Sequence, residues 1–258
     1  MVASVALRLA PTGPTARAVA ALFVYERDRD APGLAIPRPE AHLVVRFGPS
    51  TRGGLDVHAL GARQRVVRKL LRRGQRVVTA RLPLGAAEAV LGVPASALAG
   101  RMFALEDLWE GGATRRLFDR LAGARGTFDA AVILEGAIAE RVAMAEGHRA
   151  RHRLALDAAD RLPSASVSAV AVDLGVSERH LRRVFRETVG VGPKTFAKLT
   201  RFRRAVRAAR SERPASWASI AAGAGYYDQA HLIAEFRAIA GVTPAVLLGE
   251  LHAAQAIG

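Results

Sequence analysis

Between Ser177 and Arg213 the sequence gathers charge of one sign: twelve arginines and lysines stand against Glu178, Glu187 and Glu212, a local net of +9. Arg179, Arg182, Arg183 and Arg186 fall within one short stretch of it. A guanidinium is a planar fork of donors that matches the O6/N7 edge of guanine or two oxygens of a phosphate. Side chains three and four residues apart share a helix face, so this spacing suits a helix lying in a DNA groove. Taken alone, the run is equally an ordinary solvated face. The chain carries a net charge of +15 and 35 of its 38 basic residues are arginine, a skew that genome base composition produces unaided. Context has to decide.

Other chemistries find little support. The chain has no cysteine, which excludes disulfides, Cys-ligated zinc, iron–sulfur clusters and thiol nucleophiles. His148 and His152 stand one helical turn apart, but no third ligand follows at a sensible spacing and HExxH is absent. Glu106, Asp107 and Glu110 read as the charged flank of apolar Leu105, Leu108 and Trp109, not as a hydrolase pair. GxSxG, a Walker loop and a GxGxxG preceded by a strand are missing. The expectation is a non-enzyme without metal or cofactor. Aromatic residues make up 5% of the chain, too few for a base-stacking platform, so duplex is favoured over single strands.

The context is an internal repeat. HLRRVFRETVGVGP, residues 180–193, aligns with HLIAEFRAIAGVTP, residues 231–244, and seven of fourteen positions coincide at a constant offset of 51. Upstream, VAVDLGVS (170–177) matches IAAGAGYYD (220–228), with one extra residue in the second turn. Each copy reads as a short helix, a glycine turn, a capped longer helix and a Gly-x-Pro stop. Gly175 supplies the positive φ of a sharp turn after Leu174, and Ser177 is a good N-cap with Glu178 near the positive helix end. Leu181, Val184, Phe185 and Val189 form the packing face of the longer helix, leaving the four arginines on its other sides. Pro193 opens a helix running to about residue 210, with Phe196, Leu199, Phe202 and Val206 as its apolar line. At about 1.5 Å per residue it is about 27 Å long, enough to hold two recognition helices near one duplex turn apart, about 34 Å.

These segments resemble the AraC/XylS family of bacterial transcription regulators, whose DNA-binding unit is a pair of helix-turn-helix motifs joined by a long helix. The resemblance covers residues 164–248, and IAAGAGYYDQAHLIAEFRAIAGVTPAVL (220–247) is its most diagnostic stretch. It implies that Arg179, Arg182 and Arg183 face base edges, and that Gln229, Ala230, Ile233 and Ala234 occupy the matching surface of the second unit. Ala234 stands where the family commonly has Arg, which predicts an asymmetric reader: guanine contacts from the first unit, phosphate and thymine-methyl contacts from the second. Ser177, Arg186, Lys194, Lys198 and Arg237 are the expected backbone contacts. His180 and His231 recur at equivalent positions and read as packing or capping residues. RPEAHLVVRFG (38–48) and GAAEAVLGVPASALAGRMFALEDLW (85–109) more weakly resemble the amino-terminal region of one subgroup, with Leu84 where that subgroup has Pro.

The elements that carry this motif follow from patterning. Stretches 21–27, 41–47 and 55–60 read as strands separated by Pro and Gly, residues 72–84 as another, and 86–91 as a short helix. Period 3.6 takes over at 113–122 and 128–145, and Trp217 reads as core of the second unit. The eight basic residues of 63–81 read as strand-surface arginines. The expected fold is an α+β amino-terminal domain, 1–148, for sensing or self-association, followed by an all-α domain, 149–258, with two helix-turn-helix motifs joined by a long helix. The partners expected are operator duplex, a small-molecule effector, a second copy of the chain and RNA polymerase, in the cytoplasm and off the membrane. Two rivals remain: a DNA-repair accessory protein, and a basic helical interaction protein without specific readout.

Overall fold

The computed structural model describes residues 5–9, 18–48, 51–145, 149–211 and 216–256. Gly147 and His148, where the sequence suggested a domain boundary and half of a histidine pair, lie outside the described residues. Among the described residues, eight strands and eleven α-helices follow, with seven strands first, then two short helices, then the last strand, and helices after it.

Apolar side chains two residues apart build the front sheet. In strand order it runs β1 (Val5–Leu9), β2 (Ala21–Glu26), β7 (Arg76–Arg81), β4 (His42–Phe47), β5 (Leu55–Leu60) and β8 (Met102–Ala104), every pair antiparallel. Leu22, Val24, Leu43, Val45, Val57, Ala59, Val78 and Ala80 alternate onto one face and disappear into a core shared with four helices. These are α1 (Ala87–Leu91), α2 (Ala95–Leu98), α3 (Gly111–Ala122) and α4 (Thr127–Met144), the last packed across β2 and β7. The charged flank 105–110 works as read: Leu105 and Trp109 are buried, and the Trp109 indole donates to the Val90 carbonyl at 2.9 Å.

Four strands were not legible: β1 and β8, the two outermost of the main sheet, and two outside it. β3 (Ala31–Ala35) and β6 (Val67–Leu71) pair antiparallel with each other and form a separate two-stranded sheet outside the main one. β3 contains Pro32 and Gly33, which the sequence reading took for a turn. An edge strand paired on one side tolerates both, because the missing N–H faces outward.

After α4 come α5 (Arg149–Arg161), α6 (Val167–Asp173), α7 (Glu178–Val189), α8 (Pro193–Ala209), α9 (Trp217–Ala224), α10 (Gln229–Ala240) and α11 (Pro244–Ala256). Two cores form here. Leu181, Phe185, Val189 and Phe196 meet α5 and α6 in the first, with Phe185 and Phe196 edge to face at 5.3 Å. Leu199, Phe202, Val206, Ile220, Leu232 and Phe236 make the second, where Trp217 stands edge to face with Phe236. The long helix α8 therefore enters the first core with its opening turn and the second with the rest. No single helix among the described residues is long and apolar enough to cross a membrane.

Candidate nucleic-acid interface

The two copies of the repeat fold alike, and the same local chemistry starts and stops each helix. Ser177 Oγ accepts from the His180 N–H at 3.2 Å, and at the equivalent position Asp228 Oδ1 accepts from the His231 N–H at 2.7 Å. Ser166 and Ser216 cap the preceding helices in the same way. Such caps satisfy one of the donors left open at a helix start. The turns depend on Gly175 at φ +65° and Gly225 at φ +87°, a region that side-chain-bearing residues rarely enter. His180 and His231 thus sit in the capped first turn, and His231 also lies edge to face with Tyr226.

The surface of α7 divides cleanly. Leu181, Val184, Phe185 and Val189 are buried, whereas Arg179, Arg183 and Arg186 are exposed and Arg182 is half-buried. Arg182 is ion-paired with Glu178 one turn earlier, and Arg183 reaches toward Glu187 at 3.6 Å. Both pairs are solvent-exposed i,i+4 contacts of small energy. In α10, Gln229, Ala230 and Ala234 are exposed, while Ile233 is half-buried against the second core. Arg237 and Lys194 are exposed, and Lys198 is half-buried.

Aligning the copies shows why they differ inside as well as outside. Val184 is fully buried in α7, but its counterpart is Glu235, which pairs with Arg201 of α8 at 2.8 Å. The second unit therefore ties α10 to α8 with a largely buried ion pair where α7 uses apolar packing. The extra residue of the second turn is Tyr227, 93% exposed immediately before the cap of α10. The sequence reading registered the insertion without singling out this residue. The available signal was an aromatic at the one position where the repeat is out of step.

The front domain holds the far ends of both helices. The last carbonyls of a helix lack intrahelical partners. At α10 two of them are satisfied from β6 and the residue before it: the Ile239 carbonyl accepts from the Val66 N–H at 3.0 Å, and the Ala240 carbonyl accepts from Arg68 Nη1 at 3.0 Å. Arg68 also pairs with Glu250 of α11 at 2.8 Å, and Leu34, Ile36 and Val66 pack on the second core. At α7 the contact comes from α1 and α2. Gly190, at φ +90°, lies so close that an added Cβ would stand 2.9 Å from the Ala95 carbonyl oxygen. Ala62 and Leu84 join the first core. Both α7 and α10 are gripped by the front domain at their C-terminal ends, while residues of their N-terminal halves such as Arg179, Arg183, Gln229 and Ala230 are exposed.

Among the described residues no three His, Cys, Asp or Glu side chains gather as a metal site, and the His152 ring lies against Gly85 instead.

Residues 170–249 match a family model described as a helix-turn-helix domain. No curated protein sequence matches the chain. Among solved structures it is similar to the crystal structure of ToxT from Vibrio cholerae O395, at 9% identity and a TM-score of 0.42, over 89% of this chain and 96% of that one. It is also similar to ToxT bound to (E)-4-(8-methylnaphthalen-1-yl)but-3-enoic acid, at 11% identity and a TM-score of 0.45, over 89% and 97%. For unsaturated fatty acid bound wild-type ToxT from strain SCE256 the values are 9% and 0.42, over 88% and 93%.

Proposed function

We propose, from the premise that residues 170–249 are an AraC/XylS-type helix-turn-helix domain and the protein a DNA-binding transcription regulator, that it reads its operator unequally, with α7 as the main base reader. The observation that carries this is the pairing of equivalent positions. Arg179, Arg182 and Arg183 of α7 correspond to Ala230, Ile233 and Ala234 of α10, on helices whose N-terminal halves are both open.

Arg179 and Arg183 are assigned to guanine edges, with Arg182 joining them once it leaves Glu178. Gln229, Ala230 and Ile233 supply the second half-site with a short polar group and apolar contact to thymine methyls. Ser177, Arg186, Lys194, Lys198 and Arg237 are assigned to the phosphate backbone, as is Tyr227, whose exposed ring and hydroxyl stand beside the start of α10. The division of labour places control in residues 1–148 and DNA binding in 149–258, in keeping with α5, whose Ala155, Ala158 and Ala159 pack in the first helix-turn-helix core.

Salt separates this reading from a basic interaction protein that has lost DNA. Four cationic backbone contacts, Arg186, Lys194, Lys198 and Arg237, predict that log K falls with log salt with a slope of roughly −3 to −4, at about −0.9 per neutralised phosphate. Fluorescence anisotropy of a labelled duplex across a salt series measures it, and Lys194→Ala is expected to make the slope shallower by about one. Binding insensitive to salt contradicts the assignment. Processing of an alkylated duplex by the purified protein would favour the repair-accessory reading instead.

A further inference from the structure

Beneath the start of α10 lies a chain of polar contacts for which the first unit has no equivalent. Arg201 of α8 is its inner end. The guanidinium donates through Nη2 to Glu235 Oε1 at 2.8 Å, with the two side chains 22% and 12% exposed. It also stands over the Tyr226 ring, 5.6 Å from the ring centre, and its stem runs 3.6 Å from where a Cβ on Gly225 would stand. One side chain of α8 thus touches both the turn before α10 and α10 itself.

Glu235 carries the contact outward. Its Oε1 lies 3.6 Å from Nε2 of His231, one turn earlier on α10, and the His231 ring stands edge to face with Tyr226 at 5.3 Å. His231 Nδ1 accepts from the Tyr227 N–H at 3.4 Å. A neutral imidazole that accepts at one nitrogen carries its proton on the other, here the nitrogen facing Glu235. The chain of contacts ends at the backbone of Tyr227, the residue added in the second turn, whose side chain is 93% exposed. Burial and the Glu235 carboxylate raise the Tyr226 hydroxyl above its ordinary value, so it adds no second negative charge beside Arg201. In the first unit Val176 and Val184 stand where the second has Tyr226 and Glu235, and His180 faces Arg183 of its own helix at 3.4 Å.

Stability does not account for this arrangement. A largely buried ion pair is often no more stable than an apolar pair of similar volume, because desolvation offsets the attraction. Arg201 Nε, moreover, is buried with no hydrogen-bond partner among the described residues. What the pair adds is direction: a guanidinium–carboxylate contact holds one geometry, whereas apolar packing is non-directional. The first unit presents arginine forks, which bring their own geometry to a base edge. The second presents Gln229, Ala230 and Ile233, short or apolar side chains whose selectivity depends on where the backbone holds them.

We propose that Arg201, acting through Glu235 and His231, is the positioning residue of the second DNA-reading unit: it holds the turn so that Tyr227 and Gln229 meet the second half-site in one orientation, and it sets sequence preference there without touching DNA. The inference rests on the reading of duplex by both units.

The test gives the second unit the apolar packing of the first, by Arg201→Met together with Glu235→Val in the full-length protein. Tm is measured, and competition titrations use the operator selected by the parent protein and duplexes altered in one half-site at a time. The double variant is expected to melt at or above the parent, to lose preference at the second half-site several-fold and to keep it at the first. A role confined to stability would move Tm and both half-sites together. His231→Phe keeps a ring against Tyr226 and removes only the polar link, so it is expected to show the same selective loss. Glu235→Gln keeps an acceptor for Arg201 and His231 and is expected to retain most of the preference. Unchanged preference at the second half-site in both the double variant and His231→Phe, or equal losses at the two half-sites, would overturn the positioning role while leaving the parent's reading of its operator intact. A parent protein without sequence preference would overturn that reading, and this inference with it.

Discussion

Replacing Arg183 by alanine weakens binding to the selected operator by roughly 10- to 100-fold and leaves binding to unrelated duplex nearly unchanged. The expectation follows from where the side chain stands. Arg183 lies on the N-terminal half of α7, exposed, with a 3.6 Å approach to Glu187 and a long contact to His180. A base contact confers discrimination, whereas a phosphate contact strengthens all sequences alike. Competition titrations with operator and scrambled duplex separate the two. An equal loss on both would move Arg183 from the base-reading set to the backbone set. Ala234, its counterpart in α10, provides the internal control: Ala234→Arg is expected to strengthen the second half-site and change its sequence preference.

The second large effect concerns Gly190. It is the left-handed stop of α7, at φ +90°, as Gly241 is of α10, at φ +76°. Alanine at either position takes on the cost of a left-handed residue, about 1–2 kcal/mol. At Gly241 nothing lies within 4 Å of an added Cβ, so the cost ends there. At Gly190 the new Cβ meets the Ala95 carbonyl oxygen at 2.9 Å, and α2 has to shift away from α7. Gly241→Ala is therefore expected to lower Tm by roughly 2–8 °C, at about 2–4 °C per kcal/mol for a chain of this size. Gly190→Ala is expected to lower it clearly more and to speed amide exchange along α2. Matching losses for the two variants would mean that the seam at α2 contributes nothing to holding α7.

The carboxyl-terminal fold was legible because its signals are local. Ser177 and Asp228 as caps, Gly175 and Gly225 as turns, and Pro193 and Pro244 as first helical residues each act within one turn of themselves. A repeat at constant offset states the same chemistry twice. The long helix α8 ends within one residue of the sequence expectation. The start of α6 was placed late, at Val170 instead of Val167, because Ser166 was not recognised as its cap.

In the front domain the informative contacts are distant in sequence, and patterning has no access to them. β6 alternates poorly, with Arg68 and Lys69 between apolar residues, and it is fixed by pairing with β3 more than thirty residues earlier. The basic run 63–81 read as strand-surface arginines, and Arg72 behaves so, exposed and paired with Asp30 at the end of the two-stranded sheet. Arg68, however, caps the end of α10 and pairs with Glu250, 182 residues away, while Arg63 turns its Nε into a buried place. Charge on a strand does not reveal which domain it will meet.

The most direct test of a duplex reader led by α7 is selection of bound sequences from a random DNA pool with the full-length protein, repeated with Arg182 and Arg183 changed together to alanine. The expected result is an enriched motif spanning two adjacent major-groove segments, sharper in the segment read by α7, with that segment lost or relaxed in the variant while the other persists. An enriched motif that is identical for the two proteins would contradict the assignment of α7 as the main base reader, and no enrichment with either would contradict sequence-specific recognition itself.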